Sequence, residues 1–174
     1  MIALPTRIFG YVAAALGLAL AVNAIVVAYI GVYDIAYTRA LIVYASVVSV
    51  LLGCPLAAAV PEGRKFLLML AWLADIAAVA AFTVAIWYFV SAADELSTML
   101  VSYGDTDIFV AFLGVCVLLE ATRRLFGLPL FIFVIVSFLY GLFGGYLPSA
   151  IGHNGFSLAV TMEMVWYGFQ GVYG

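Results

Sequence analysis

Long apolar runs separated by short polar breaks organise this chain. They cover Ile8 to Tyr33, Leu41 to Val60, Phe66 to about Ala93, Ile108 to about Phe126, and Pro129 to Tyr146. A helix needs about 20 mostly apolar residues to cross a bilayer. Barrel strands would instead show roughly ten-residue alternating segments. These runs do not alternate, and Leu, Ala and Val dominate them. The pattern predicts an all-α integral membrane bundle of four to five transmembrane helices.

The last stretch, Pro148 to Gly174, reads differently. Gly152-His153-Asn154-Gly155 predicts a turn, and Ser157 an N-cap for a helix from Leu158 to about Gln170. At 1.5 Å per residue that helix is about 18 Å long, too short to span. Glu163, Tyr167 and Gln170 fall on one narrow stripe, with Met162, Met164, Val165, Trp166 and Phe169 elsewhere around the helix. The expectation is an interfacial arm that lies flat at the membrane or docks on a partner through Met162, Trp166, Tyr167 and Phe169.

Composition reinforces this layout. Of 174 residues, 68% are apolar and 9% charged, with a mean hydropathy of +1.28. A soluble domain runs near 45–50% apolar and about 25% charged. Six basic residues leave no surface of the kind nucleic acid requires. Five of them, Arg7, Arg64, Lys65, Arg123 and Arg124, fall on one side of the predicted bundle, and Arg39 on the other. The positive-inside rule then puts the N-terminus in the cytoplasm. Asp94, Glu95, Asp105 and Asp107 fall together in the longest outer loop, where Leu96, Met99, Leu100 and Tyr103 have the spacing of a short amphipathic helix. Val22-Asn23-Ala24 is a weak cleavage-like triplet, but the apolar run continues past it, so an uncleaved first span is expected.

Few polar residues lie at membrane depth. Asp75 is about 14 Å into the third run by helical rise. An acid there costs about 2.5–3.5 kcal/mol, which the twelve Leu, Ile, Val and Phe residues between Phe66 and Val90 offset. Two readings compete: a proton or sodium relay, and an inward-facing acid bonded to a neighbour such as Ser49. No second acid, Lys or His stands near, which favours the structural one. Asn23 reads as interhelical glue, and Ala13, Gly17 and Ala21 as small residues permitting close helix approach. Glu120 precedes Arg123 and Arg124 by three and four positions, the favourable order for an anchoring cluster at the cytoplasmic interface. Asp105-Thr106-Asp107 reads as an N-cap for the fourth helix rather than a cation site. One histidine and two cysteines, Cys54 and Cys116 within apolar runs, supply no metal set. No nucleophile triad or phosphate loop is present, so no enzyme and no intrinsic cofactor are expected.

The stretch Leu118-Leu119-Glu120-Ala121-Thr122-Arg123-Arg124 resembles one in the permeases of tripartite ATP-independent periplasmic (TRAP) transporters, in particular fused permeases paired with TAXI-type binding proteins. The likeness continues through Gly127-Leu128-Pro129, Tyr140-Gly141-Leu142-Phe143-Gly144-Gly145-Tyr146-Leu147-Pro148 and His153-Asn154-Gly155-Phe156-Ser157 to Gly171-Val172-Tyr173-Gly174. The first three helices resemble the family in hydropathy and layout. The resemblance implies that residues 1–126 are a four-helix small-subunit region, and that 127–174, the fifth helix and arm, begin a transport region. The hairpins and substrate-binding repeats of that region do not follow, so transport by this chain alone is not implied. What is implied is a small subunit in the bacterial inner membrane. Its partners would be lipids, a separate transport subunit for organic acids and a periplasmic binding protein. The alternatives are a fragment of such a permease, and a truncated permease-like chain serving as a structural or accessory subunit of another membrane complex, photosynthetic or respiratory.

Overall fold

The computed structural model describes residues 3–31, 34–61, 63–96, 103–148, 151–168 and 171–173, with side chains omitted at 3–8 and 93–96. It is 84% helical, with no strand among the described residues. Among the described residues six α-helices follow one another: α1 (Ala3–Ile30), α2 (Ile35–Gly53), α3 (Lys65–Leu96), α4 (Asp105–Phe126), α5 (Leu128–Phe143) and the short α6 (Leu158–Met162). Among the described residues, four segments are long and apolar enough to cross a membrane: Phe9–Ile30, Ile35–Ala59, Lys65–Ala92 and Leu128–Tyr146. The chain is therefore a multi-pass membrane helix protein. The expected fourth span forms as α4. With Asp105 and Asp107 in its first turn, and Glu120, Arg123 and Arg124 near its end, it is not among those four.

Two compact units divide the chain, Met1–Val90 and Ser91–Gly174. The boundary at 126/127 read from the sequence lies inside the second, where α4 and α5 pack as a hairpin.

In the first unit α1 lies along α2. The half-buried positions of α1 are Phe9, Ala13, Leu16, Leu20, Asn23 and Val27. Their steps of four and three residues are the seam of a coiled-coil-like contact. Ala13 sits on that seam against Gly53, while Gly17 and Ala21 are exposed. Asp34 begins α2 as its N-cap, its Oδ1 accepting from the Tyr37 N–H at 2.8 Å. The helix stops at Gly53 because Pro55 has no N–H and forces the preceding Cys54 out of the helical region. A 3-10 turn, Leu56–Ala59, then completes the run.

In the second unit Gly127, at φ +78°, makes the sharp turn between α4 and α5, and Pro129 enters the first turn of α5. Gly104, not an acid, is the N-cap of α4. It has no side chain, so only the reciprocal half of a capping box forms, with Asp107 Oδ2 accepting from the Gly104 N–H at 2.7 Å.

Two expectations are corrected. Asp94 and Glu95 are not in a loop: the backbone of α3 continues through them to Leu96. The C-terminal helix does not run from Leu158 to Gln170. It is α6 followed by one π turn, Glu163–Tyr167, closed by the Gly168 N–H on Glu163 O at 2.8 Å. The amphipathic segment expected at 96–103 lies mostly outside the described residues.

Candidate functional site

Asp75 is 5% exposed. Its Oδ2 accepts from the Leu56 N–H at 2.9 Å. Leu56 opens the 3-10 turn after the break in α2, so its N–H has no partner within its own helix. The break at Pro55 and the acid on α3 are thus one feature. A non-helical backbone at membrane depth must have its polar groups satisfied by neighbours. Ser49 does not supply the expected hydroxyl to Asp75; it donates to Ala45 O at 2.6 Å in its own helix. A second α2–α3 link joins Tyr44 Oη and Thr83 Oγ1 at 3.1 Å, with the Tyr44 and Phe82 rings stacked. Beside Asp75 runs an apolar groove of about 330 Å³ lined by Phe9, Leu52, Trp72, Ile76, Val79 and Ala80. Asn23 Nδ2 is buried and finds no hydrogen-bond acceptor among the described residues.

The second unit gathers its polar groups around the ends of α4 and α5. At the C-terminal end of α4, Arg123 Nε and Nη2 donate to the two oxygens of Glu120, each at 2.7 Å. Arg124 Nε donates to Glu120 Oε1 at 2.8 Å. The Arg123 side chain is 36% exposed, and that of Arg124 only 4%. At the far end of α5 the chain folds back on itself. The His153 ring bonds Tyr140 O at 3.0 Å, and the Phe156 N–H donates to Gly141 O at 3.0 Å. The His153 N–H reaches Gly144 O at 3.2 Å. Tyr140 Oη returns a bond to Ile151 O at 2.7 Å. The carbonyls that a helix leaves open at its C-terminus are therefore capped by the following loop. Gly144 makes this fit possible, because a methyl there would overlap the His153 ring.

The arm continues inward. Ser157 caps α6 as expected from its position, its Oγ accepting from the Val160 N–H at 3.3 Å. Met162 and Trp166 are both 0% exposed. They do not form the outer surface of a free arm; Trp166 fills the space left by the absent side chain of Gly114 on α4. Tyr167 Oη donates to Asp107 O at 3.0 Å, and its ring stacks on Tyr103 at 5.0 Å. Burial, and then the negative charge of Glu163, push the Tyr103 phenol above its ordinary pKa. Tyr173 meets Trp166 edge-on at 5.3 Å. Met164 is 55% exposed, and Phe169 lies outside the described residues.

Sequence reasoning missed Gly114 and Gly144 as packing residues. Nothing local distinguishes a glycine that seats an aromatic ring many positions away.

No cluster of three or more potential metal ligands occurs among the described residues. The geometry holds backbone ends closed and helices together. No family model, curated protein or solved structure matches the chain.

Proposed function

We propose that this chain is a non-catalytic small membrane subunit of a TRAP-type transporter of the bacterial inner membrane, N-terminus in the cytoplasm. It would scaffold a separate transport subunit that takes up organic acids. The observation that carries the reading is the coherence of the resembling stretch. From Asp107 to Gly174 it lies within one compact unit, with its loop capping its own α5 and its arm packed on its own α4. Its polar side chains are spent on holding that unit: Glu120 on two arginines, Tyr140 and His153 on backbone carbonyls, Tyr167 on Asp107 O. Ile132, Val136, Tyr140 and Phe143, at steps of four and three along α5, stay exposed as an apolar face available to a partner helix.

The test is affinity purification of the tagged chain from its native membrane in mild detergent, followed by native mass spectrometry of the undissociated complex. A co-purifying permease chain of several hundred residues is the expected result. Recovery within a photosynthetic or respiratory assembly would refute the transporter role and assign the chain as a structural subunit there.

A further inference from the structure

We propose that the cleft between α4, α5 and the C-terminal arm binds one membrane phospholipid with an anionic headgroup, an acyl chain in the cleft and the phosphate on Arg123. The cleft measures about 370 Å³, within the range of roughly 300–1,000 Å³ typical of ligand sites. Val115 and Leu119 line it from α4, Val134, Phe138 and Gly141 from α5, and Met164 from the arm. Two hydroxyl side chains also border it, and both are committed to their own helices. Ser137 Oγ donates to Phe133 O and Thr161 Oγ1 to Ser157 O, each at 2.9 Å. The walls therefore offer a hydrocarbon chain dispersion contacts and offer a polar ligand little.

The position of Arg123 selects the occupant. Leu119 lies eight residues before the Gly127 turn, and Val134 seven after it, so both stand about 11 Å from the turn. Arg123 follows Leu119 by four residues, on the same helix face and about 6 Å nearer the turn. Leu128–Tyr146 is long and apolar enough to cross the bilayer, which puts the Gly127 turn at a membrane surface and Arg123 at headgroup level. The roughly 6 Å from Leu119 to Arg123 leaves room for a glycerol backbone between chain and phosphate.

Charge points the same way. Two arginines around one glutamate leave a net charge of +1. Arg124 is buried in that cluster, so Arg123 is the open cation. It spends its Nε and one Nη2 hydrogen on Glu120, leaving three of the five guanidinium N–H groups for a phosphate. A partner helix would fill the cleft with apolar side chains and leave those donors unused.

The full chain in mild detergent is incubated with phosphatidylglycerol or with phosphatidylcholine of the same acyl chains, and native mass spectrometry reads the bound fraction. Phosphatidylglycerol is expected to be retained about tenfold better, as a charge-assisted hydrogen bond implies. Beyond its own helix backbone, no heavy atom lies within 4 Å of a Cβ added at Gly141, so Gly141→Leu fills the cleft without a clash at its root. That variant is expected to lose retention of both lipids. Arg123→Gln is expected to bring phosphatidylglycerol down to the level of phosphatidylcholine. Excess soluble glycerol phosphate leaves the bound lipid in place. Equal retention of the two lipids by the unaltered chain, retention undiminished in Gly141→Leu, or displacement by glycerol phosphate overturns the proposal. The headgroup comparison needs no variant and decides the matter if either substitution fails to fold.

Discussion

Each unit holds an interrupted helix end, and each closes it differently. After Gly53, the open Leu56 N–H is taken by a single carboxylate, Asp75, reaching across from α3. After Phe143, the open carbonyls of α5 are taken by several groups from the segment that follows: the His153 ring, the His153 N–H and the Phe156 N–H. The first closure is one long-range contact at membrane depth. The second is distributed over a loop that is tied in turn to the arm and, through Trp166, to α4. A single substitution removes the first closure entirely. The second degrades in parts unless its Trp166 anchor is lost.

Trp166→Ala should have the largest effect, about 3–5 kcal/mol, because a fully buried ring leaves a cavity beside Gly114. Unfolding of the purified chain in detergent micelles measures it. An effect below about 1 kcal/mol would mean that the arm is not anchored on α4 and would erase the contrast between the units. Asp75→Leu comes next, at about 1–3 kcal/mol, since it strands the Leu56 N–H. Asp75→Asn keeps an acceptor and should recover most of that loss. A loss in Asn as large as in Leu would show that charge matters more than the backbone bond. His153→Ala should cost about 1 kcal/mol, because the Phe156 and His153 N–H groups remain in place. A cost matching that of Trp166→Ala would show the loop closure to be a single-point device after all. Glu120→Gln should be smallest, about 0.5 kcal/mol and weaker in high salt, as for partly exposed helical ion pairs. The same unfolding assay in low and high salt checks it.

The helical, membrane-crossing layout was legible because apolar runs report directly on the bilayer. The run from Pro129 to Tyr146 is observed as α5 plus a 3-10 turn ending at Tyr146. The second apolar run continues to Val60, yet the helix stops at Gly53, just before Pro55. Hydropathy does not register a proline embedded among apolar residues, although its missing N–H decides the backbone. Asp75 stood out by its cost, but its partner is a backbone N–H, a group every non-proline residue carries and no sequence pattern marks. The expectation of an arm flat at the membrane or docked on a partner rests on one-dimensional periodicity, which shows which residues are apolar and not which surface they meet. The arm's true seat depends on Gly114, fifty-two positions upstream of Trp166. The π turn at Glu163–Tyr167 shifts the register on which the predicted stripe of Glu163, Tyr167 and Gln170 relied.

The chain has three tryptophans, so Trp72→Phe with Trp87→Phe leaves Trp166 as the only indole reporter. Reconstituting that variant, with Gly141→Leu added to keep lipid out of the neighbouring cleft, in lipids brominated along their acyl chains tests directly whether the arm belongs to the protein's own interior. The account predicts Trp166 fluorescence that brominated lipid leaves essentially unquenched, and quenching once Gly114→Ala displaces the ring. Strong quenching in the Gly114 background would place Trp166 against lipid and contradict the account.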